Sequence, residues 1–326
     1  MSALLKSSGA VLVVAALVAL PLAVSNQYAL SIITLTLLYA YLALAWNIIG
    51  GIAGQLSLGH AAYFGVGSYT STLMFLHFGI SPWIGMLAGA ALAAAAAVII
   101  GLPCFRLRGA YFALATLAAA MIFKIIAENS QVALGGPGGL AVKLLHDAPL
   151  QFQHTRREFY YVVIVVLMAI AILVNQAVLR SRLGHYLVAI RNDHDAARAL
   201  GVDTTRCKLE AAILSAALTA VGGTFYAQFM LFISPDKVFG ANLSVQIAVM
   251  CIIGGRGTVW GPILGAVLLF SAEEGTRYLT GGTIGADMML YGLLLMAVIR
   301  LEPRGAYRIL QDARLRWMAR RQVGAH

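Results

Sequence analysis

Polar side chains able to receive a small charged solute gather in one stretch. Gln55, Ser57 and His60 lie within Gly50-Gly51-Ile52-Ala53-Gly54-Gln55-Leu56-Ser57-Leu58-Gly59-His60-Ala61-Ala62-Tyr63-Phe64-Gly65-Val66-Gly67. A polar trio in a glycine-broken apolar region is what an unwound segment near a bilayer midplane offers a transported solute. The same glycines also let helix backbones approach closely in lipid, and His60 serves either a helix–helix hydrogen bond or a transport path. Other chemistry is sparse. Lys124 and Glu128 stand four apart and can pair locally, and Glu210, Glu273, Glu274 and Asp287 fall near the ends of apolar segments. Only His60 is a candidate for a buried proton relay, which disfavours a proton-coupled carrier and leaves sodium coupling through backbone carbonyls open. There is no GxxxxGK[ST] phosphate loop and no HExxH, so ATP-driven work must come from another chain. Cys104, Cys207 and Cys251 are scattered and odd in number, which gives neither a disulfide framework nor a metal site. Paired carboxylates and a nucleophile–base arrangement are also missing, so an integral-membrane enzyme is the weakest class.

A second stretch has a different kind of chemistry. In the polar interval Arg180–Lys208, the run Arg191-Asn192-Asp193-His194-Asp195-Ala196-Ala197-Arg198-Ala199-Leu200-Gly201 reads as a short helix. Asn192 is its expected N-cap and Asp195, three residues on, a capping-box-like acid. Gly201 fits the left-handed position that closes a helix. About two turns result, on which Ala196, Ala197 and Leu200 are expected to share a face. Asp203-Thr204-Thr205 then starts the next helix. The interval is either a charged loop joining two spans or a docking helix for a soluble partner.

The elements that must position these residues are membrane helices. Of 326 residues, 60% are hydrophobic and 11% charged, and mean hydropathy is +0.84; soluble domains carry roughly 25% charge. An all-α polytopic membrane protein follows, with about ten transmembrane or membrane-embedded helices. Apolar segments lie near 10–25, 29–49, 60–78, 83–103, 110–129, 159–179, 208–232, 242–254, 258–272 and 285–300. The first is read as an uncleaved span, with a cleaved signal peptide as the alternative. The segments 242–254 and 258–272 are short, and Gly254-Gly255-Arg256-Gly257 between them breaks any helix. They read as two short or tilted spans or as one broken element.

The net charge of +10 follows topology rather than nucleic acid. With the interval 180–208 inside, parity also places Lys6, the turn bearing Arg106 and Arg108, and the tail with Arg304, Arg308, Arg314, Arg316, Arg320 and Arg321 inside. Both termini are then cytoplasmic. The loop 130–158, with Gly135-Gly136-Pro137-Gly138-Gly139, falls outside; it is a flexible turn or a receiving surface. The permease domain is taken as 1–302. The tail 303–326 is basic and amphipathic and suits the membrane surface.

Three stretches carry a family resemblance. Trp46-Asn47 through Gly67, with its Gly-Gln-Leu-Ser-Leu-Gly-His-Ala-Ala core, is similar to the M-type permease of branched-chain amino-acid ABC importers. So are Arg106-Leu107-Arg108-Gly109-Ala110-Tyr111-Phe112-Ala113-Leu114-Ala115-Thr116-Leu117 and Gly254-Gly255-Arg256-Gly257-Thr258-Val259-Trp260-Gly261-Pro262-Ile263-Leu264-Gly265-Ala266. The run Asp195-Ala196-Ala197-Arg198-Ala199-Leu200-Gly201 resembles the family's E-A-A-x-x-x-G coupling loop, with Asp for Glu. The H-type sister permease lacks the Gln-Leu-Ser-Leu-Gly-His form.

The resemblance implies a machine in the bacterial cytoplasmic membrane. This chain and an H-type permease form the pathway. Two ABC ATPase subunits, holding ATP and Mg, dock on coupling helices at Asp195, Ala196, Ala197, Leu200 and Gly201. A periplasmic or lipid-anchored binding protein delivers the solute, and no cofactor is bound by this chain. Branched-chain amino acids are the expected cargo; urea, amides or aromatic carboxylates on the same machinery, or an ion-coupled secondary carrier, are the alternatives. On such a pathway Gln55, Ser57 and His60, the polar groups of the glycine-broken stretch, are the candidate contacts to test.

Overall fold

The structure, a computed structural model, describes residues 26–142 and 148–279, together with 285, 289, 292, 293 and 296. The expected first span at 10–25, most of the segment 285–300 and the tail 303–326 lie outside the described residues. Asn26 caps the first described helix, α1 (Gln27–Trp46), accepting from Tyr28 N at 2.9 Å. The helix widens into a π-helical turn at Asn47–Ile52, and an irregular segment leads to α2 (His60–Phe78). Then follow α3 (Pro82–Cys104), α4 (Ala110–Asn129), α5 (Arg157–Arg180), α6 (Arg182–Asn192), α7 (His194–Ala199), α8 (Thr204–Met230), α9 (Ala241–Gly255) and α10 (Trp260–Leu279). Twelve of α1's 20 residues are buried, against five of α4's 20, so α1 is an interior helix and α4 a peripheral one. Around α1 pack α5, α8, α9 and α10, while α2 and α3 pack on α8.

Small residues set these distances. In lipid, apolar tails surround every helix, so association depends on close packing. A Cβ on Gly67 of α2 would overlap the Ala220 carbonyl of α8, and one on Gly223 would overlap the Phe64 carbonyl. Hydroxyls use the proximity: Ser68 Oγ donates to Gly223 O at 2.8 Å, and Thr224 Oγ1 donates to Gly67 O at 3.1 Å. The uncertain region 242–272 forms two helices, α9 and α10. They pack on each other where a Cβ on Gly265 would meet the Met250 carbonyl.

Six helical stretches are long and apolar enough to cross a membrane: Gln27–Ile52, Pro82–Cys104, Ala110–Asn129, Arg157–Arg180, Thr204–Met230 and Pro235–Gly255. These six are counted among the described residues, which leave out the expected segment 10–25 and most of 285–300. α2 and α10 occupy expected places but are too polar to qualify. α2 holds Ser68, Ser71 and Thr72, all fully buried within the protein, and α10 carries Glu273, Glu274 and Arg277.

Two contacts fix which loops share a side. At one end, Arg108 in the α3–α4 turn forks onto Asp195 of α7. At the other, β1 (Leu140–Ala141) pairs antiparallel with β2 (Phe232–Ile233), which follows α8. This two-residue ribbon and an isolated antiparallel bridge between Ala148 and Gln153 are the β features that the all-α expectation meets among the described residues. α5 separates the two ends; its 24 residues span roughly 36 Å at about 1.5 Å per residue. The expected Lys124–Glu128 pair is present at 3.5 Å, and Lys124 also pairs with Asp236 beside β2.

Candidate functional site

The site is built around the end of α1. Asn47 is fully buried and opens the π-helical turn. Its Nδ2 donates to Asn175 Oδ1 of α5 at 3.1 Å and to Thr258 O at 2.9 Å. Its Oδ1 accepts from Gly257 N at 2.8 Å and from Cys251 Sγ at 3.4 Å. Asn175 in turn donates to Leu44 O and Ala171 O, both at 3.0 Å. A buried amide is tolerated because its donors and acceptors are matched. Asn47 thereby holds together α1, α5 and the turn between α9 and α10.

Beyond the turn, the backbone leaves regular structure at Gly54, whose φ of +71 favours glycine. The irregular residues are anchored one by one. Trp46 Nε1 donates to Ser57 O at 2.7 Å, Leu58 N donates to Thr116 Oγ1 of α4 at 3.0 Å, and Ala61 N donates to Ser244 Oγ of α9 at 2.8 Å. The last contact satisfies one of the free amides at the start of α2.

His60 opens α2 and is 1% exposed. Ser215 of α8 gives its hydroxyl hydrogen to Ala45 O at 2.7 Å. It therefore accepts from His60 Nε2–H at 2.8 Å, and His60 Nδ1 faces Ser57 Oγ at 3.3 Å. His60 thus bridges α2 and α8. Ser57 and His60 also border a small cavity with Tyr63, Phe105, Phe112 and Thr116. Its volume is about 10 Å³, room for about one water molecule and too little for an amino acid. Gln55 is not among the lining residues. It is partly exposed, and its backbone N–H donates to Ile49 O at 3.0 Å.

The polar interval is more helical than its reading. α6, which that reading missed, is amphipathic and buries Gly184, Leu187 and Ile190; the spacing of Leu183, Leu187 and Ile190 is the signal that would have found it. Because α6 runs on through Asn192, the N-cap of α7 is Asp193, not Asn192. Asp193 has φ −151 and ψ 110, and its side chain accepts from Asp195 N at 2.9 Å and Ala196 N at 3.0 Å. Asp195 makes no capping box. Its carboxylate takes both arms of the Arg108 guanidinium, at 3.1 and 2.8 Å. Arg108, and then His194, hold it below the usual carboxylate range.

Gly201 stands where expected, with φ +86. Gly201 N donates to Arg198 O at 3.0 Å and Val202 N to Ala197 O at 3.2 Å, the paired bonds of a Schellman closure. The shared face is corrected too. Ala197 is buried, whereas Ala196 and Leu200 are exposed, Leu200 by 86%. Residues 196 and 200 lie one turn apart, and 197 points about 100° away.

The sequence reading also passed over Asn47, Asn175, Thr116, Ser215, Ser244 and Arg191 as site residues. Lone amides in apolar segments were a visible signal for the first two, but their partners lie far away in the chain.

Residues 28–299 match the family model described as branched-chain amino acid transport system, permease component. The chain is 32% identical over 310 residues to the high-affinity branched-chain amino acid transport system permease protein LivM of Escherichia coli, covering 88% of this chain and 72% of that one. It is 25% identical over 292 residues to LivH of the same bacterium, covering 84% of this chain and 92% of that protein. A shorter likeness, 28% over 141 residues, reaches the xylose transport system permease protein XylH of Haemophilus influenzae, over 41% of this chain and 37% of the relative. No solved structure matches the chain. With six apolar helices of spanning length, it is a multi-pass membrane protein. The match along nearly its whole apolar length places the chain in the permease family of branched-chain amino acid transport systems.

Proposed function

We propose that this chain is the M-type permease of an ATP-driven importer of branched-chain amino acids in the bacterial inner membrane. The observation that carries the reading is the 32% identity to LivM along 88% of the chain. A second permease lines the pathway with it; the likeness to LivH, named for the same kind of system, supports a paired arrangement. ATP and Mg reside on two separate ATPase subunits, and a periplasmic or lipid-anchored protein supplies the solute. The basic turn at Arg106 and Arg108 and the α6–α7 segment face the cytoplasm by the positive-inside rule, with both termini on that side and about ten membrane helices in the full chain.

In this reading α7 is the coupling helix. Its capped ends fix its shape, and the exposed Ala196 and Leu200 form the face an ATPase groove would receive. Asp195 and Gly201 hold that face in position. ATP binding draws α7 inward, and the two permeases rock between outward-open and inward-open states. Ser57 and His60, with Gln55 at the mouth of the broken segment, are the candidate pathway residues. Passage there requires the His60–Ser215 bond to open, since the cavity beside it has room for about one water.

The test is reconstitution of the complete complex in liposomes. Uptake of labelled leucine, isoleucine or valine that needs both ATP and the binding protein supports the proposal. Uptake by this chain alone, driven by an ion gradient, overturns it in favour of a secondary carrier. Thermal stabilisation of the binding protein by urea or an aromatic acid, and by no branched-chain amino acid, overturns the cargo.

A further inference from the structure

Three chain segments meet at one side chain, Arg191, in the last turn of α6. Its Nη1 donates to Gly51 O at 2.9 Å, a carbonyl at the end of the π-helical turn, where helix acceptors lack intrahelical partners. The stem passes Gly54, where a Cβ would lie 2.5 Å from Arg191 Cγ. The guanidinium also abuts Gly257, where a Cβ would strike Nη1. Both glycines have positive φ, +71 and +78, so a larger residue at either place would be strained as well as crowded. Gly257 is the same residue whose N–H binds Asn47 Oδ1 at 2.8 Å. Arg191 is an exposed residue whose guanidinium thus lies in a surface slot between the end of α1 and the α9–α10 turn.

The slot lies next to the segment proposed to couple. Two residues after Arg191, Asp193 caps α7. It is bonded into α6 through Asp193 N to Ala189 O at 3.0 Å and into α7 through Ala197 N to Asp193 O at 3.1 Å. These bonds make α6 and α7 one unit. The apolar grip of that unit on the body rests on small and aliphatic groups, Gly184, Leu187, Ile190 and Ala197. A guanidinium adds a directional, always charged bond to a specific carbonyl. On the far side of that carbonyl, three to nine residues along the chain, come Gly54, Gln55, Ser57 and His60.

We propose that Arg191 is the positioning residue that transmits displacement of the α6–α7 unit to the broken segment Asn47–Gly59, and so opens or closes the Ser57–His60 region. The inference rests on the importer reading, because it needs a partner that moves α7.

Arg191→Met keeps the length of the stem and removes the guanidinium. In the complete complex, solute uptake per ATP hydrolysed should fall about tenfold or more, the loss expected for one charge-assisted hydrogen bond. ATP hydrolysis itself should change little. Arg191→Lys, whose single ammonium can still reach one carbonyl, should recover part of the ratio, and Gly54→Ala should lower it by crowding the stem. Hydrogen exchange on the detergent-solubilised chain adds a readout that needs no partner. Arg191→Met should speed exchange at residues 51–57 while protection in α8 is kept, which also shows that the variant is folded. An unchanged uptake-to-hydrolysis ratio, a proportional fall in both activities, or unchanged exchange at 51–57 overturns the link. ATP-independent uptake by the unmodified complex overturns the importer reading and this inference with it. A normal unmodified complex with an indifferent Arg191→Met variant overturns the link alone.

Discussion

Two regions of the molecule combine glycine with polar side chains, and they use the combination in opposite ways. Around Asn47 the polar groups are fully buried and consume one another: amide, backbone N–H, carbonyl and thiol are all matched inside the chain. At α7 the polar groups shape the ends of a short exposed helix, through Asp193 and Gly201, and tie Asp195 to Arg108, while Ala196 and Leu200 stand exposed without a partner in the chain's interior. The difference teaches where a partner is to be sought. A saturated interior network holds its own chain in place, whereas a capped helix with an 86% exposed leucine leaves its apolar surface uncovered by the chain itself.

Substitutions can break that contrast, and the largest effect belongs to the interior. Asn47→Leu strands the Gly257 N–H, the Thr258 carbonyl and one arm of Asn175. We expect a loss of about 3–5 kcal/mol, as for other disrupted buried networks, read from denaturant unfolding of the solubilised chain. A loss below about 1 kcal/mol would remove Asn47 from the centre of the fold. Asp193→Ala removes an N-cap and should cost about 1 kcal/mol, seen as faster exchange confined to α6–α7; a comparable loss throughout α8 would show that α7 belongs to the interior after all. Leu200→Ser should leave stability within about 0.5 kcal/mol, as for an exposed site. In the complete complex it should weaken ATPase association and uptake, and full retention of both would take Leu200 out of the docking face.

The smallest effect concerns pH. Arg108 holds Asp195 below the ordinary carboxylate range, so the folded-state value lies under the unfolded one. The contribution is complete above the unfolded value of about 3.9 and is lost as pH falls through the depressed folded value. Both side chains are well exposed, which keeps the effect slight. A chemical-shift titration of a labelled Asp195 should show a midpoint below about pH 3.9 in the native chain, and that midpoint should return towards the ordinary value in Arg108→Ala.

Much of the fold was legible because membrane helices announce themselves by run length. The segments at 60–78 and 110–129 begin and end where α2 and α4 do, since glycine and polar residues punctuate both. The break after residue 50 was legible from its glycines. What fills the break was not: Asn47 meets Asn175 and Thr258, 128 and 211 residues along the chain, and local pattern has no access to such separations. The N-cap of α7 was misplaced by one residue because Asn192 and Asp193 are equally good caps in isolation. Only the burial of Leu187 and Ile190, which carries α6 through Asn192, decides between them. Of the trio Gln55, Ser57 and His60, the last two come together through a local turn that sequence could suggest, while Ser215, which bonds the His60 ring, arrives from α8.

The β1–β2 ribbon has a consequence for biogenesis. A chain made from its N-terminus completes β1 well before β2, with α5, α6, α7 and α8 still to be synthesised and inserted between them. Closing such a distant pair must wait until the last of those helices has emerged. Ribbon closure is therefore a timestamp: a protease that cuts the 130–158 loop of nascent chains, and spares it once Phe232 and Ile233 are in place, would date the moment at which this half of the permease becomes one body.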